Sequence, residues 1–153
     1  MLTIRTANLA DLPVLLEFEQ GIITFERPFN PTLRPDPINY YDLGELISAD
    51  YAEVVVVADG DEIIASGYAK EITAAEYISP RKHCFLGFMY VRPEYRGRGI
   101  NKLVMDYLIN WGRERGLTEV RLQVYSENAG AIRAYEKVGF EGLLLEMRRE
   151  IKS

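Results

Sequence analysis

The residues best suited to chemistry lie in one short run, Arg96-Gly97-Arg98-Gly99-Ile100-Asn101. Gly97 and Gly99 allow a backbone that curls, so that successive N–H groups point one way and a phosphate can approach closely. The run follows an apolar stretch ending in Met89-Tyr90-Val91 and opens an apolar pattern of helical period. A helix start leaves N–H groups without partners and has the helix dipole behind them, which makes it an anion site. Arg92, Arg96, Arg98 and Lys102 fall within eleven residues, opposed only by Glu94. In a chain of net charge −5, such a segment concentrates positive charge where a small polyanion would dock. On charge alone it is equally a solvated basic turn.

Two common phosphate loops are excluded. No segment matches Gly-x-x-x-x-Gly-Lys-Ser/Thr, and Gly97-Arg98-Gly99 is followed by Ile100, Asn101 and Lys102, so the third glycine of a dinucleotide fingerprint is missing. A second spaced pair lies downstream. Asn128 and Tyr135 are seven residues apart and share one helix face, two turns from each other. By themselves they also read as a helix cap and a core tyrosine.

With both segments in view, the chain resembles the GCN5-related N-acetyltransferase (GNAT) superfamily. Its signature Arg/Gln-x-x-Gly-x-Gly/Ala corresponds to Arg96 through Asn101, with Asn101 in place of the usual last Gly or Ala. The family's Asn-x-x-Ala-x-x-x-Tyr-x-x-x-Gly-Phe helix corresponds to Asn128, Ala131, Tyr135, Gly139 and Phe140. The resemblance implies a single GNAT domain over residues 1–153 with a mixed, mostly antiparallel central sheet and helices on both faces. It implies acetyl-CoA as co-substrate and no metal. Pantetheine would lie along Met89-Tyr90-Val91, with the pyrophosphate at Arg96, Gly97, Arg98, Gly99, Ile100 and Asn101. A primary amine would attack the thioester directly in a ternary complex, where alignment lowers the barrier. A backbone N–H near Met89 would polarise the carbonyl, Tyr135 would protonate the departing thiolate, and Asn128 would hydrogen-bond the pantetheine or nearby backbone. An ammonium substrate must also lose a proton, but the strand Cys84–Val91 contains no glutamate. Glu26, Glu71, Glu76 and His83 are the positional substitutes, and Glu26 is carried forward as the general-base candidate. Two other readings stay open within this resemblance: an acyl-CoA sensor with little turnover, and acetylation of a protein N-terminus or lysine. An unrelated phosphate-binding α/β protein is the third.

The elements that must position these residues can be read along the chain. Leu2–Thr6 alternates as a strand, and a helix follows from Asn8-Leu9-Ala10-Asp11, tolerating Pro13 in its first turn. Gly21–Asp42 holds four prolines and reads as a long loop, with a short helix resuming near Ile38 or Tyr41. Its aromatics and acids (Phe25, Phe29, Tyr40, Tyr41, Glu26, Asp36, Asp42), with Glu76 of the Thr73–Lys82 link, are the expected lining of the acceptor pocket. Val54–Val57 and Ile63–Tyr68 flank Asp59-Gly60, a hairpin signal. Ile100, Leu103, Val104, Tyr107, Leu108 and Trp111 mark one buried helix face, closed by Gly116. Val120, Leu122 and Val124 alternate as a strand, Asn128–Val138 forms a helix, and a last strand or strand pair runs from Phe140 to Ile151. The expected order is β-α-α-β-β-β-α-β-α-β(β).

Bulk properties narrow the function further. A chain of 153 residues suits one core, and its acidic balance argues against nucleic-acid binding, which needs basic surface to displace counterions. No apolar run is long enough to span a bilayer, and Met1–Arg5 lacks the pattern of a signal peptide. The single cysteine, Cys84, cannot close an internal disulfide and reads as a buried strand residue, so a cytoplasmic location is expected. Leu143-Leu144-Leu145 is a possible homodimer edge.

Overall fold

The computed structural model describes residues 1–152. The four consecutive valines 54–57 are apolar at every position because the sheet they enter is covered on both faces. Val55 and Val57 face one core and Val54 and Val56 the other. The sheet has the order β1 (Leu2–Thr6), β2 (Ala52–Asp59), β3 (Glu62–Thr73), β4 (Lys82–Val91) and β5 (Val120–Arg121). β1 to β4 are antiparallel, and β5 joins β4 in parallel. Helix α3 (Ile100–Glu114) packs on one face through Ile100, Val104, Met105 and Leu108. On the other face lie α1 (Leu12–Glu26) and α2 (Leu43–Ser48). Helices on both faces of a mostly antiparallel sheet are the expected architecture. Among the described residues no helix is long and apolar enough to cross a membrane.

Local chemistry sets the element ends. Asn8 and Asp11 form a reciprocal cap before α1, and Arg5 holds both oxygens of Asp11 at 2.8 and 2.9 Å. The short helix α2 starts later than Ile38 or Tyr41, because Asp42 is the residue whose side chain accepts from Glu45 N–H and so caps it. At the far end of α3, Gly116 takes φ +80°, and Leu117 N–H closes back to Gly112 C=O at 3.0 Å. α3 also lies very close to β3. A Cβ on Gly67 would come within 2.6 Å of Val104 Cγ1 and 2.9 Å of Met89 Sδ. Gly67→Ala is therefore expected to cost about 1–3 kcal/mol by overpacking, measured by urea denaturation.

The final third departs from expectation. The strand expected over Val120–Val124 is only the two residues Val120–Arg121, the length that pairs with Cys84 and Phe85. Helix α4 (Ala129–Lys137) forms as expected. The strand expected from Phe140 to Ile151 does not form: residues 141–152 are exposed and have no ladder partner. A strand needs a neighbouring edge to satisfy its backbone groups, and this segment lies along none, although the outer side of β5 is unpaired.

Candidate functional site

The site begins with a defect in β4. Phe88 takes φ +57°, uncommon for a bulky residue, and the β3–β4 register slips between Ser66 and Tyr68. Ser66 Oγ, buried, donates to Phe88 C=O at 3.2 Å and holds the bulge. Beyond it the strand is regular again, and Arg92 N–H bonds inward to Ile64 C=O. The alternation of strand hydrogen bonding then turns the N–H and C=O of Val91, and those of Met89, to the outer edge. That edge is open, because β5 pairs with β4 only at Cys84 and Phe85. Met89 and Val91 send side chains toward α3, whereas Tyr90 stacks on Phe18 of α1 at 4.5 Å.

The open edge leads into the basic turn. Gly97 and Gly99 have φ +79° and +77°, and a Cβ on either would touch nothing within 4 Å. Glycine is required there by backbone conformation, and the space beside it is open to an incoming group. Gly99 is the N-cap of α3, Ile100 is buried beneath the first turn, and Asn101 is half-buried beside it. Arg96 Nε donates to Val91 C=O at 2.9 Å, fastening the turn to the strand, and the Arg98 guanidinium lies 5.1 Å from the Tyr95 ring centre. Both arginines are exposed.

Asn128 and Tyr135 fall on α4. Asn128 Oδ1 accepts from Ala131 N–H at 3.2 Å, so this oxygen caps the helix. Tyr135 is half-buried and meets Phe140 edge-on at 5.9 Å. Burial, and secondarily the charge of Glu26, raise its pKa and keep it protonated.

Glu26 ends α1, and of the four base candidates it is the one whose charge is felt at Tyr135. Burial raises its pKa, while the nearby Tyr40 hydroxyl lowers it. Tyr40 in turn feels both Glu26 and Tyr125. Its hydroxyl is buried beside Glu26 and Tyr125, with no well-aligned hydrogen bond among the described residues. Two bonds fix this loop: Glu19, fully buried, accepts from Tyr40 N–H at 2.7 Å and from Tyr41 N–H at 2.8 Å. Asn30 Nδ2 donates to Tyr125 Oη at 2.9 Å and closes the far side. The remaining candidates lie elsewhere. Glu71 is opposite Cys84 and pairs with Lys82 and Arg115. Glu76 is exposed. His83 is buried six residues before Met89, about 20 Å along the strand. Cys84 packs against Gly112, and burial pushes its thiol up to about 11, which suits a core residue.

Glu19, Asn30 and Tyr125 are absent from the sequence reading. For Tyr125 a signal existed: if Val120, Leu122 and Val124 share one face, Gln123 and Tyr125 share the other. Glu19 falls at helical spacing with Leu12, Leu15 and Leu16, a carboxylate on an apolar helix face, but its partners twenty-one and twenty-two residues away have no local spacing.

The chain belongs to the acetyltransferase (GNAT) family, whose profile matches residues 20–140. It is 36% identical over 87 residues to a streptothricin acetyltransferase of Streptomyces lavendulae, covering 57% of this chain and 42% of that protein. It is 28% identical over 111 residues to an aminoglycoside N(6')-acetyltransferase of Salmonella typhimurium, covering 70% of this chain and 74% of that protein. Among solved structures, a Bacillus halodurans protein superposes with TM-score 0.88 at 17% identity, over 98% of this chain and 99% of that one. A Clostridium acetobutylicum protein solved with acetyl-CoA gives 0.74 at 19% identity, over 97% and 96%. At such identities these two show a shared fold.

Proposed function

We propose that this protein transfers an acetyl group from acetyl-CoA to a primary amine by direct attack, with Glu26 as general base and Tyr135 as general acid. What supports the reading is the open β4 edge at Met89–Val91 running into the Gly97–Gly99 turn that starts α3, in a chain of the acetyltransferase family. Glu26 accepts a proton from the arriving ammonium, directly or through one water. The outward N–H of Met89 stabilises negative charge developing on the thioester oxygen. As the C–N bond forms and the C–S bond breaks, Tyr135 delivers its proton to sulfur, and the second proton lost from nitrogen as the amide forms returns to the phenolate through solvent. The edge of Met89, Tyr90 and Val91 pairs with pantetheine as an added strand would. The turn from Arg96 to Asn101 receives the pyrophosphate on backbone N–H groups, with Arg98 adding charge.

The acceptor is a small cationic amine. From Tyr40 a cavity of about 450 Å³ continues along Tyr41, Tyr51 and Tyr68, with Asp42 and Glu45 on its wall and Lys70 as its single cation. Aromatic faces and carboxylates suit an ammonium. Two relatives are named for small-molecule acceptors, streptothricin and aminoglycosides, which is the same substrate class.

Calorimetry tests the donor site. Acetyl-CoA should bind selectively over ATP and NAD, and Arg98→Glu should weaken it at least about tenfold by placing a carboxylate beside the pyrophosphate. Equal binding of ATP and acetyl-CoA would point to an unspecialised phosphate site instead.

A further inference from the structure

Lys70 is a cation set among aromatic rings with no anion paired to it. It lies on β3 opposite Phe85, half-buried, on the wall of the cavity that runs from Tyr40. Its Nζ stands 5.7 Å from the Tyr68 ring centre and 5.9 Å from that of Phe85. The rings attract an ammonium but offer no acceptor atom to its three donors. Among the described residues no carboxylate lies within 4.0 Å of it. The acids on and beside the cavity are engaged elsewhere. Glu71, the next residue, pairs with Lys82 and Arg115. Asp42 Oδ1 accepts from Glu45 N–H at 3.2 Å, and Glu45 Oε1 accepts from Tyr51 Oη at 3.2 Å.

The strands set how far this cation stands from the reacting atoms. Phe85, its register partner, precedes Met89 by four residues on β4, about 13 Å along a strand. The cavity joins the two ends: Tyr40, beside Glu26, opens it, and Lys70, Phe85 and Gln123 line it further on. An amine held at Glu26, with its skeleton against the tyrosine rings, would bring its far end to Lys70. A half-buried ammonium with unused donors is the complement of an anion, which it binds by a charge-assisted hydrogen bond.

Resting on the acetyl-transfer reading above, we infer that the acceptor is an amine carrying an anionic group, a carboxylate or a phosphate, on the order of 10 Å from its nitrogen, and that Lys70 binds that group. The ammonium is the cationic end of such a substrate, met by Glu26 and the aromatic rings. Its anion is the far end, met by Lys70. The division of charge also fixes orientation. Turned end for end, the ligand would set its anion against Glu26 and its ammonium against Lys70, and both contacts would repel. A plain diamine of the same length brings a second cation to Lys70 and is disfavoured for the same reason.

Two matched pairs of amines test this: triglycine against triglycine amide, and aminohexyl phosphate against aminohexanol. The two anionic members span about 10 Å from nitrogen to anion when extended. Initial rates of CoA release should favour the anionic member at least about tenfold in kcat/KM, mostly through KM, because the contact is made equally in ground and transition states. Lys70→Gln should bring the ratio near one, and Lys70→Glu should reverse it. Each ratio is taken within one protein preparation, so a variant that folds poorly still reports its preference. A preference confined to one pair identifies the anion as carboxylate or phosphate. A wild type that treats both pairs alike, or a Lys70→Gln ratio equal to that of wild type, overturns the inference and leaves acetyl transfer standing. So does turnover of plain diamines or amino sugars with none of the four. No CoA release with any amine overturns the acetyl-transfer reading as well.

Discussion

Glu26→Gln is expected to lower kcat/KM for the amine by about 100-fold or more, the usual contribution of a positioned general base. Acetyl-CoA binding should change little, because Glu26 ends α1 and the turn proposed for the pyrophosphate precedes α3. The pH profile makes the test specific. Burial raises the Glu26 pKa above the ordinary carboxylate value, so the acid limb of the wild-type profile should lie higher than an exposed carboxylate would give. Glutamine should abolish that limb. The sign for stability is opposite to that for activity. Between the ordinary and the raised pKa, folded Glu26 binds more protons than unfolded Glu26, so its contribution falls as pH rises through that window. The variant should therefore be as stable as the wild type at neutral pH, or more so, while losing turnover. A merely structural Glu26 would give the reverse, with lower stability and little change in rate. Thermal unfolding and initial rates, measured side by side, separate the two.

Tyr135→Phe should lower kcat by about 100-fold while leaving the KM for acetyl-CoA within a few-fold of wild type. The substitution keeps the ring, and with it the edge-on contact to Phe140, so what is lost is the hydroxyl alone. The raised pKa of that hydroxyl keeps it protonated at neutral pH, as a donor to a leaving thiolate must be. If Tyr135 only packs against the donor, kcat would stay unchanged, and the proton for sulfur would have to come from water.

The legible part of this protein lies where function imposes a local pattern. Gly97 and Gly99 could be read because a turn with φ above +75° admits little else, and the valine run because both sheet faces are covered. The opening of β4 beside Met89 is set by a residue that gives no sign of it in the sequence. Phe88 holds a positive φ through a hydrogen bond from Ser66, twenty-two positions away. The aromatics and acids between Gly21 and Asp42 were legible in composition but not in arrangement. Tyr40 is placed by a buried carboxylate on α1, and Tyr125 by an asparagine ninety-five residues distant. Such tertiary hydrogen bonds leave no periodicity. The tail shows the opposite case: its alternation reads clearly as a strand, yet it joins no ladder, because pairing is a property of two strands and not of one.

The most direct measurement is CoA release with acetyl-CoA and a panel of small diamines and amino sugars, both substrates varied. The expected result is release that requires an amine, initial-rate lines that intersect, and a product heavier than the amine by one acetyl group. Tight acetyl-CoA binding with no release above hydrolysis, for any small amine or for peptides with free N-termini and lysines, would contradict direct transfer and leave a protein that only senses the donor.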